Sequence, residues 1–287
     1  MSKVKIITDS CSDLPQDIVD KYDIRLLNIP VNIKNKVYYD RYDLKPLKFY
    51  QLLTEKKEVP KTSRITPEKF KEVYQQYLDE YEHILVISFS SELSGILESA
   101  VVAKRECESE RITVIDSKAA SVGQGLLVYQ AAKMFAEGNS LKEVVAKIAD
   151  DAARLEHVFA VGDLEMLKRG GRISKTKAVV ANVLNIKPIL HIKDGKILPY
   201  DKIRGKKKMI KYLVNEVAKK ADNPEDQILA LTYSQNKKLA LKLKKEIENE
   251  FSPREILISE IGAAVGSHAG PGTLAVVYKN SKEISDI

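Results

Sequence analysis

At 287 residues the chain is long enough for one large domain or two ordinary ones, and its 44% hydrophobic and 30% charged content is that of a soluble globular protein. No run approaches about 18 uncharged apolar residues, which excludes a transmembrane helix, and a charged strand at the very start predicts no secretory leader. Two cysteines, Cys11 and Cys107, fit a reducing compartment and so a cytoplasmic location, while the net charge of +7 is concentrated in short basic runs.

Lys5-Ile6-Ile7 reads as a buried strand running into Thr8-Asp9-Ser10-Cys11-Ser12-Asp13-Leu14-Pro15. Thr66-Pro67-Glu68 opens a helix with an N-cap hydroxyl, a proline at the first position and an early carboxylate. Phe70, Val73, Tyr74, Tyr77, Leu78 and Tyr81 then form one apolar stripe, read as core. Residues 84–87 are four consecutive apolar residues, the pattern of a strand buried on both faces of a parallel sheet. Ser88-Phe89-Ser90-Ser91-Glu92-Leu93-Ser94-Gly95 follows as a turn, and residues 96–106 continue as a helix. Residues 112–115 form a third such strand, leading to Asp116-Ser117 and on to Ser121-Val122-Gly123-Gln124-Gly125.

Three short strands thus each end in hydroxyl, carboxylate or glycine chemistry. In a parallel sheet, neighbouring strands deliver such loops to one edge, where ligands bind and helix N-termini stabilise anions. Ser94 fits either a ligand contact or a plain helix N-cap.

Further helices are expected over 125–137 and from the Ser140/Glu143 capping box to about residue 155. The second half reads as α+β: strands at 157–161, 189–193, 196–199, 227–233, 255–261 and 273–278, with a basic amphipathic helix over 206–221. Asp194-Gly195 suits a type I′ hairpin turn. No linker separates the halves, and the boundary is placed near 153–156, giving domains 1–154 and 155–287.

Complete catalytic constellations are missing. His83, His157, His191 and His268 show no metal-ligand spacing, and the three that lie beside or within strands are simplest as structural residues. Neither phosphate-loop glycine motif is present. Cys11 is a nucleophile candidate without an identifiable base. Lys168-Arg169-Gly170-Gly171-Arg172 suits an anion or a solvated turn, and Gly266-Ser267-His268-Ala269-Gly270-Pro271-Gly272 predicts a tight loop that presents His268 to a ligand. The basic run of Arg204, Lys206, Lys207 and Lys208 suits an acidic protein or an anionic membrane surface; nucleic acid is disfavoured by the scarcity of interleaved aromatic residues.

Seven segments occur in an order that resembles the DegV family, the fatty-acid-binding proteins of bacteria. They are Ile6 to Pro15, Thr62-Ser63, Ser90-Ser91-x-Leu93-Ser94-Gly95, Val114 to Ser117, Leu167 to Ile173, Lys187 to Leu190, and Gly266-x-His268-x-Gly270-Pro271-Gly272. The resemblance implies a two-domain α/β fold, an N-terminal parallel-sheet domain and a C-terminal mixed-sheet domain, with a long-chain fatty acid buried in a cleft between them. It implies further that a separate ATP-using fatty-acid kinase subunit phosphorylates the acid, so that this chain is a carrier with no catalytic residues, cofactor or metal of its own. By the same resemblance Thr62 and Ser94 bind the carboxylate, with Ser63, Ser91, Gly95, Arg172 and His268 close to the headgroup. Arg64-Ile65 and Ile96 depart from the residues common in the family. The competing expectation is a free-standing phosphotransferase or hydrolase using Asp9, Asp116 and His268.

Overall fold

Residues 3–56, 59–162, 164–173 and 186–281 are described by a computed structural model of the chain. The first half contains β1 (Val4–Asp9), α1 (Gln16–Lys21), β2 (Arg25–Leu27), β3 (Pro30–Ile33), β4 (Lys36–Tyr39), α2 (Pro46–Lys56), β5 (Lys61–Thr62), α3 (Pro67–Leu78), β6 (His83–Ser88), α4 (Ile96–Glu106), β7 (Ile112–Asp116), α5 (Val122–Ala136) and α6 (Leu141–Arg154). The second half continues with β8 (Leu155–Ala160), α7 (Glu165–Arg169), β9 (Ile186–Lys193), β10 (Lys196–Arg204), α8 (Lys206–Lys220), β11 (Ile228–Tyr233), α9 (Lys237–Phe251), β12 (Glu255–Glu260), α10 (Ala263–Ala269) and β13 (Leu274–Lys279).

The first sheet is parallel throughout, in the order β2-β1-β6-β7. Residues 84–87 of β6 are an unbroken apolar run because helices cover both faces. Ile7, Ile84 and Val86 pack with α3 and α4, whereas Ile6, Leu85, Ile87 and Ile115 pack with α5 and α6. The chain runs from β1 outward to β2 and returns to β6 on the other side, so β1 and β6 flank a topological switch point, where open sheets form their crevice. The caps expected at Thr66 and Ser140 are both formed.

The second sheet is mixed, in the order β10-β9-β8-β13-β11-β12, with only β11 and β12 parallel. Val158, Ala160, Leu231, Val276 and Tyr278 bury one face against α8 and α9. Strand alternation turns His157, Phe159, Ala275 and Val277 to the other face, toward the first half. Asp194 (φ 50) and Gly195 (φ 78) make the β9–β10 turn, and Ser90 Oγ donates to the Gly195 carbonyl at 2.8 Å.

Three sequence expectations are corrected. A small antiparallel sheet, β4-β3-β5, occupies a region the apolar pattern leaves unassigned. β10 continues past the expected end at Pro199 through a register shift and runs to Arg204. Residues 263–269 form a helix and not a tight loop. Gly266 fits inside that helix because Phe49 and Tyr50 pack onto it; a Cβ there would lie 2.8 Å from the Phe49 ring and 2.8 Å from the Tyr50 hydroxyl. Gly270, at φ 72, ends the helix.

Candidate functional site

Thr62 ends β5, which pairs with β3 and lies against α10. Its hydroxyl shares a 2.9 Å hydrogen bond with Nε2 of His268, in the last turn of α10. The imidazole rests on Gly170: a Cβ at that position would sit 2.2 Å from His268 Nδ1. Close approach is therefore what Gly170 contributes, while Gly171, at φ 71, makes the turn.

α10 is held at its start by two buried carboxylates from the first half. The Gly262 N–H donates to Asp13 Oδ1 and the Ala263 N–H to Asp40 Oδ1, each at 2.7 Å. The Arg41 guanidinium donates to Asp13 Oδ1 (3.0 Å), the Leu14 carbonyl (3.1 Å) and the Glu260 carbonyl (2.8 Å), and Ser121 donates to Asp13 Oδ2 at 2.5 Å. Burial raises the Asp40 carboxyl to about 7, with neighbouring Asp13 adding to the shift and Arg41 opposing it. This network fixes the histidine-bearing helix against the β1 loop.

Between the carboxyl edge of the parallel sheet, α10 and the free face of the mixed sheet lies a cavity of about 260 Å³. Ile29, Phe89, Leu93, Ile96, Phe159 and Ile192 are among its apolar walls. Thr62, Ser63, Ser94, Gly95, Arg172 and His268 line it too, so the structure brings together four polar segments of sequence at one space. Gly95 is the N-cap of α4 and no side chain caps that helix, which removes the plain N-cap reading of Ser94. The Ser94 hydroxyl makes no hydrogen bond among the described residues, and the unbonded N–H groups of the first turn of α4 lie next to it.

The electrostatics around these hydroxyls are simple. Arg172 is anchored by donation from Nε to the Leu93 carbonyl at 3.1 Å and from Nη1 to the Gly170 carbonyl. Burial, with the Arg172 charge beside it, pushes the His268 pKa down to about 4, so its imidazole is neutral near pH 7. Arg64 lies over Gly95 and pairs with Glu98 at 2.8 Å on the surface, an exposed pair of small energetic weight. Arg172 as an anchored cation, Arg64 as a half-exposed one already paired with Glu98, and several neutral donors suit a single carboxylate.

Other candidates fall elsewhere. Ser91 is exposed and does not line the cavity; its hydroxyl donates to Asp116 Oδ2 at 2.6 Å. Asp9 accepts from the Cys11 N–H, the Phe89 N–H and Gln124 Nε2, which makes it a loop-organising residue. Asp9, Asp116 and His268 each have separate partners, and no hydrogen bond joins them. Cys11 does line the cavity, but burial and three nearby carboxylates push its thiol well above the ordinary range, so it is no thiolate nucleophile. Arg204, Lys206, Lys207 and Lys208 are exposed and outside the cavity. Among the described residues no cluster of three His, Cys, Asp or Glu is placed to hold a metal, and no helix is long and apolar enough to cross a membrane.

Sequence reasoning missed His157, Thr232, Thr273, Ala275 and Val277 as cavity residues. The signal was strand alternation: His157 and Phe159 on β8 share a face, as do Thr273, Ala275 and Val277 at β13.

Residues 3–281 match the family model described as "Uncharacterised protein, DegV family COG1307". A DegV domain-containing protein of Clostridium perfringens is 39% identical over 285 residues, covering 97% of this chain and 98% of its own length. A fatty acid-binding protein of Thermotoga maritima is 33% identical over 284 residues, covering 95% and 96% of the two chains. A solved structure, named for the fatty acid binding of a DegV family protein from Thermus thermophilus, superposes with a TM-score of 0.90. It is 34% identical, and the match covers 96% of this chain and 99% of that one.

Proposed function

The chain belongs to the DegV family, and from that premise we propose that it binds one long-chain fatty acid in the cavity and presents the carboxylate to a separate ATP-dependent fatty-acid kinase subunit. In this reading the cavity is a buried tunnel between an N-terminal domain, 1–154, and a C-terminal domain, 155–287, of a cytoplasmic carrier without catalysis of its own. The observation that carries it is an apolar-walled cavity with hydroxyls, the neutral His268, the anchored Arg172 and the half-exposed Arg64 gathered from separate segments. Thr62 and Ser94 hydrogen-bond the carboxylate, Arg172 and His268 flank it, and Ser63 and Gly95 complete the lining.

Burial of an acyl tail gains about 0.8 kcal/mol per methylene, so a ~16-carbon chain offers on the order of 10 kcal/mol. That exceeds the several kcal/mol lost on association, so the tail dominates affinity and the head group sets orientation. Neutral donors have a second use. In acyl-phosphate formation a carboxylate oxygen attacks the terminal phosphorus of ATP and ADP leaves, and donors without charge hold the carboxylate without quenching it as a nucleophile.

Organic extraction of the purified protein, followed by mass spectrometry, is expected to release fatty acid at near-stoichiometric amounts. Protein that carries no lipid and takes up none when fatty acid is supplied would overturn the reading. Charge-assisted hydrogen bonds contribute roughly 1.5–3 kcal/mol each. Ser94→Ala or Thr62→Ala is therefore expected to weaken fatty-acid affinity at least tenfold without unfolding the protein. An unchanged affinity and carboxylate position in Ser94→Ala would remove Ser94 from the headgroup site.

Lys206, Lys207 and Lys208 occupy the first turn of α8, which has no acidic residue there, so they oppose the helix dipole. Their placement is unfavourable for the helix itself, and supports contact with an acidic kinase surface or with anionic lipid. Reversing two charges among Arg204, Lys206, Lys207 and Lys208 is expected to weaken that association most at low salt and to leave fatty-acid binding intact. Parallel loss of fatty-acid binding would make the patch structural.

A further inference from the structure

Given the fatty-acid reading, on which this inference rests, we propose that His157 is the floor of the tunnel and sets the length of acyl chain the protein accepts. The polar end of the cavity is fixed by His268 and by Thr273, whose hydroxyl donates to the Ala269 carbonyl at 3.1 Å just ahead of β13. From there the cavity follows the free face of β13 past Ala275 to Val277. Four residues of strand span about 13 Å.

At the Val277 level three strands are in register: Ile192 of β9 lies opposite His157 of β8, which lies opposite Val277 of β13. All three side chains line the cavity. One step further on the same face, the pair is Leu155 and Lys279. Neither lines the cavity, and Leu155 is packed into the core around α5. The space therefore stops at the His157 rung.

His157 is the side chain that reaches across to close it. It is 3% exposed, and its ring extends from the mixed sheet to α5, where Nε2 abuts the bare Cα of Gly123; a Cβ on that residue would fall 1.8 Å from the nitrogen. Gly123 is thus the space that receives the far edge of the imidazole, so that the ring spans from the mixed sheet to α5 across the end of the tunnel. No side chain among the described residues hydrogen-bonds either ring nitrogen and the Leu155 backbone is a weak polar neighbour, so packing more than a polar network holds the ring there. Burial pushes its pKa down to about 4, and an uncharged ring is a tolerable neighbour for a terminal methyl group.

The test uses the full-length protein, stripped of lipid and offered an equimolar mixture of straight-chain saturated acids from 12 to 20 carbons. Bound acids are then extracted and quantified by mass spectrometry. Each methylene that finds room raises affinity about fourfold. His157→Ala is expected to move the upper length limit by about two carbons, enriching the longer acid roughly 15-fold relative to wild type. His157→Val, which keeps a strand-compatible side chain, is expected to move it in the same direction by less, and serves if the alanine variant does not fold. Gly123→Ala, by forcing the ring into the tunnel, is expected to lower the limit. A His157 variant that binds acid at wild-type stoichiometry with an unchanged length profile would overturn the proposal. Failure of the wild-type protein to take up any acid would instead overturn the fatty-acid reading.

Discussion

Asp13→Ala is expected to destabilise the protein by about 3 kcal/mol or more, the largest effect on folding foreseen for one side chain near the site. Asp13 is fully buried and accepts from Arg41, Ser121 and the Gly262 N–H. Removing it leaves the Arg41 guanidinium, whose side chain is only 14% exposed, hydrogen-bonded to the Leu14 and Glu260 carbonyls without a carboxylate partner, and leaves the Gly262 N–H without its acceptor. Breaking one partner of a buried pair typically costs 3–5 kcal/mol because an uncompensated charge remains inside. Asp40 limits the loss: with Asp13 gone, the like charge that raises the Asp40 carboxyl disappears, and Asp40 takes over part of the balance for Arg41.

Backbone strain adds to the alanine variant. Asp13 is at φ 51, a left-handed conformation that aspartate and asparagine tolerate better than alanine. Asp13→Asn keeps that tolerance and one acceptor oxygen, so it isolates the charge and is expected to lose less. About 3 kcal/mol corresponds to a thermal midpoint lowered by roughly 6–12 °C. A loss below 1 kcal/mol in Asp13→Ala would show that the pair does not anchor α10.

This network marks the boundary of what the sequence discloses. Runs such as Ile84 to Ile87 are legible because burial on both faces leaves no polar residue in them, and the loops after β1, β6 and β7 do gather at one edge. The Ser140 capping box and the Asp194-Gly195 turn are legible because their chemistry is local. β3, β4 and β5 are not, since strands of two to four residues carry too few apolar positions to show a period. Their register nevertheless delivers Thr62 to His268, 206 positions away. The helix around His268 was hidden for a related reason. Its glycine at 266 is demanded by Phe49 and Tyr50 from another element, so a feature that signals a loop locally is a packing requirement in three dimensions. His157 is the converse case. A histidine in an apolar strand reads as core, and only the pairing of β8 with β9 and β13 places it at the end of a cavity.

Ala275→Phe is expected to abolish stoichiometric fatty-acid binding. Ala275 lies midway along the free face of β13, opposite Phe159, and its methyl group faces the cavity between the Thr273 and Val277 levels. A phenyl ring there fills the path of the tail, so about half of the methylenes of a ~16-carbon acid lose their burial. That is roughly 6 kcal/mol, or about four orders of magnitude in affinity. Folding is expected to survive, because aromatic residues suit strands and the ring enters existing space instead of a packed core. The headgroup residues remain in place, and the Thr62–His268 hydrogen bond is not touched. Circular dichroism and a melting curve check the fold, and extraction with mass spectrometry reads the bound acid. A folded Ala275→Phe protein that still carries a full equivalent of long-chain acid would mean the tail runs elsewhere, since the space beside Ala275 cannot hold both a ring and a chain.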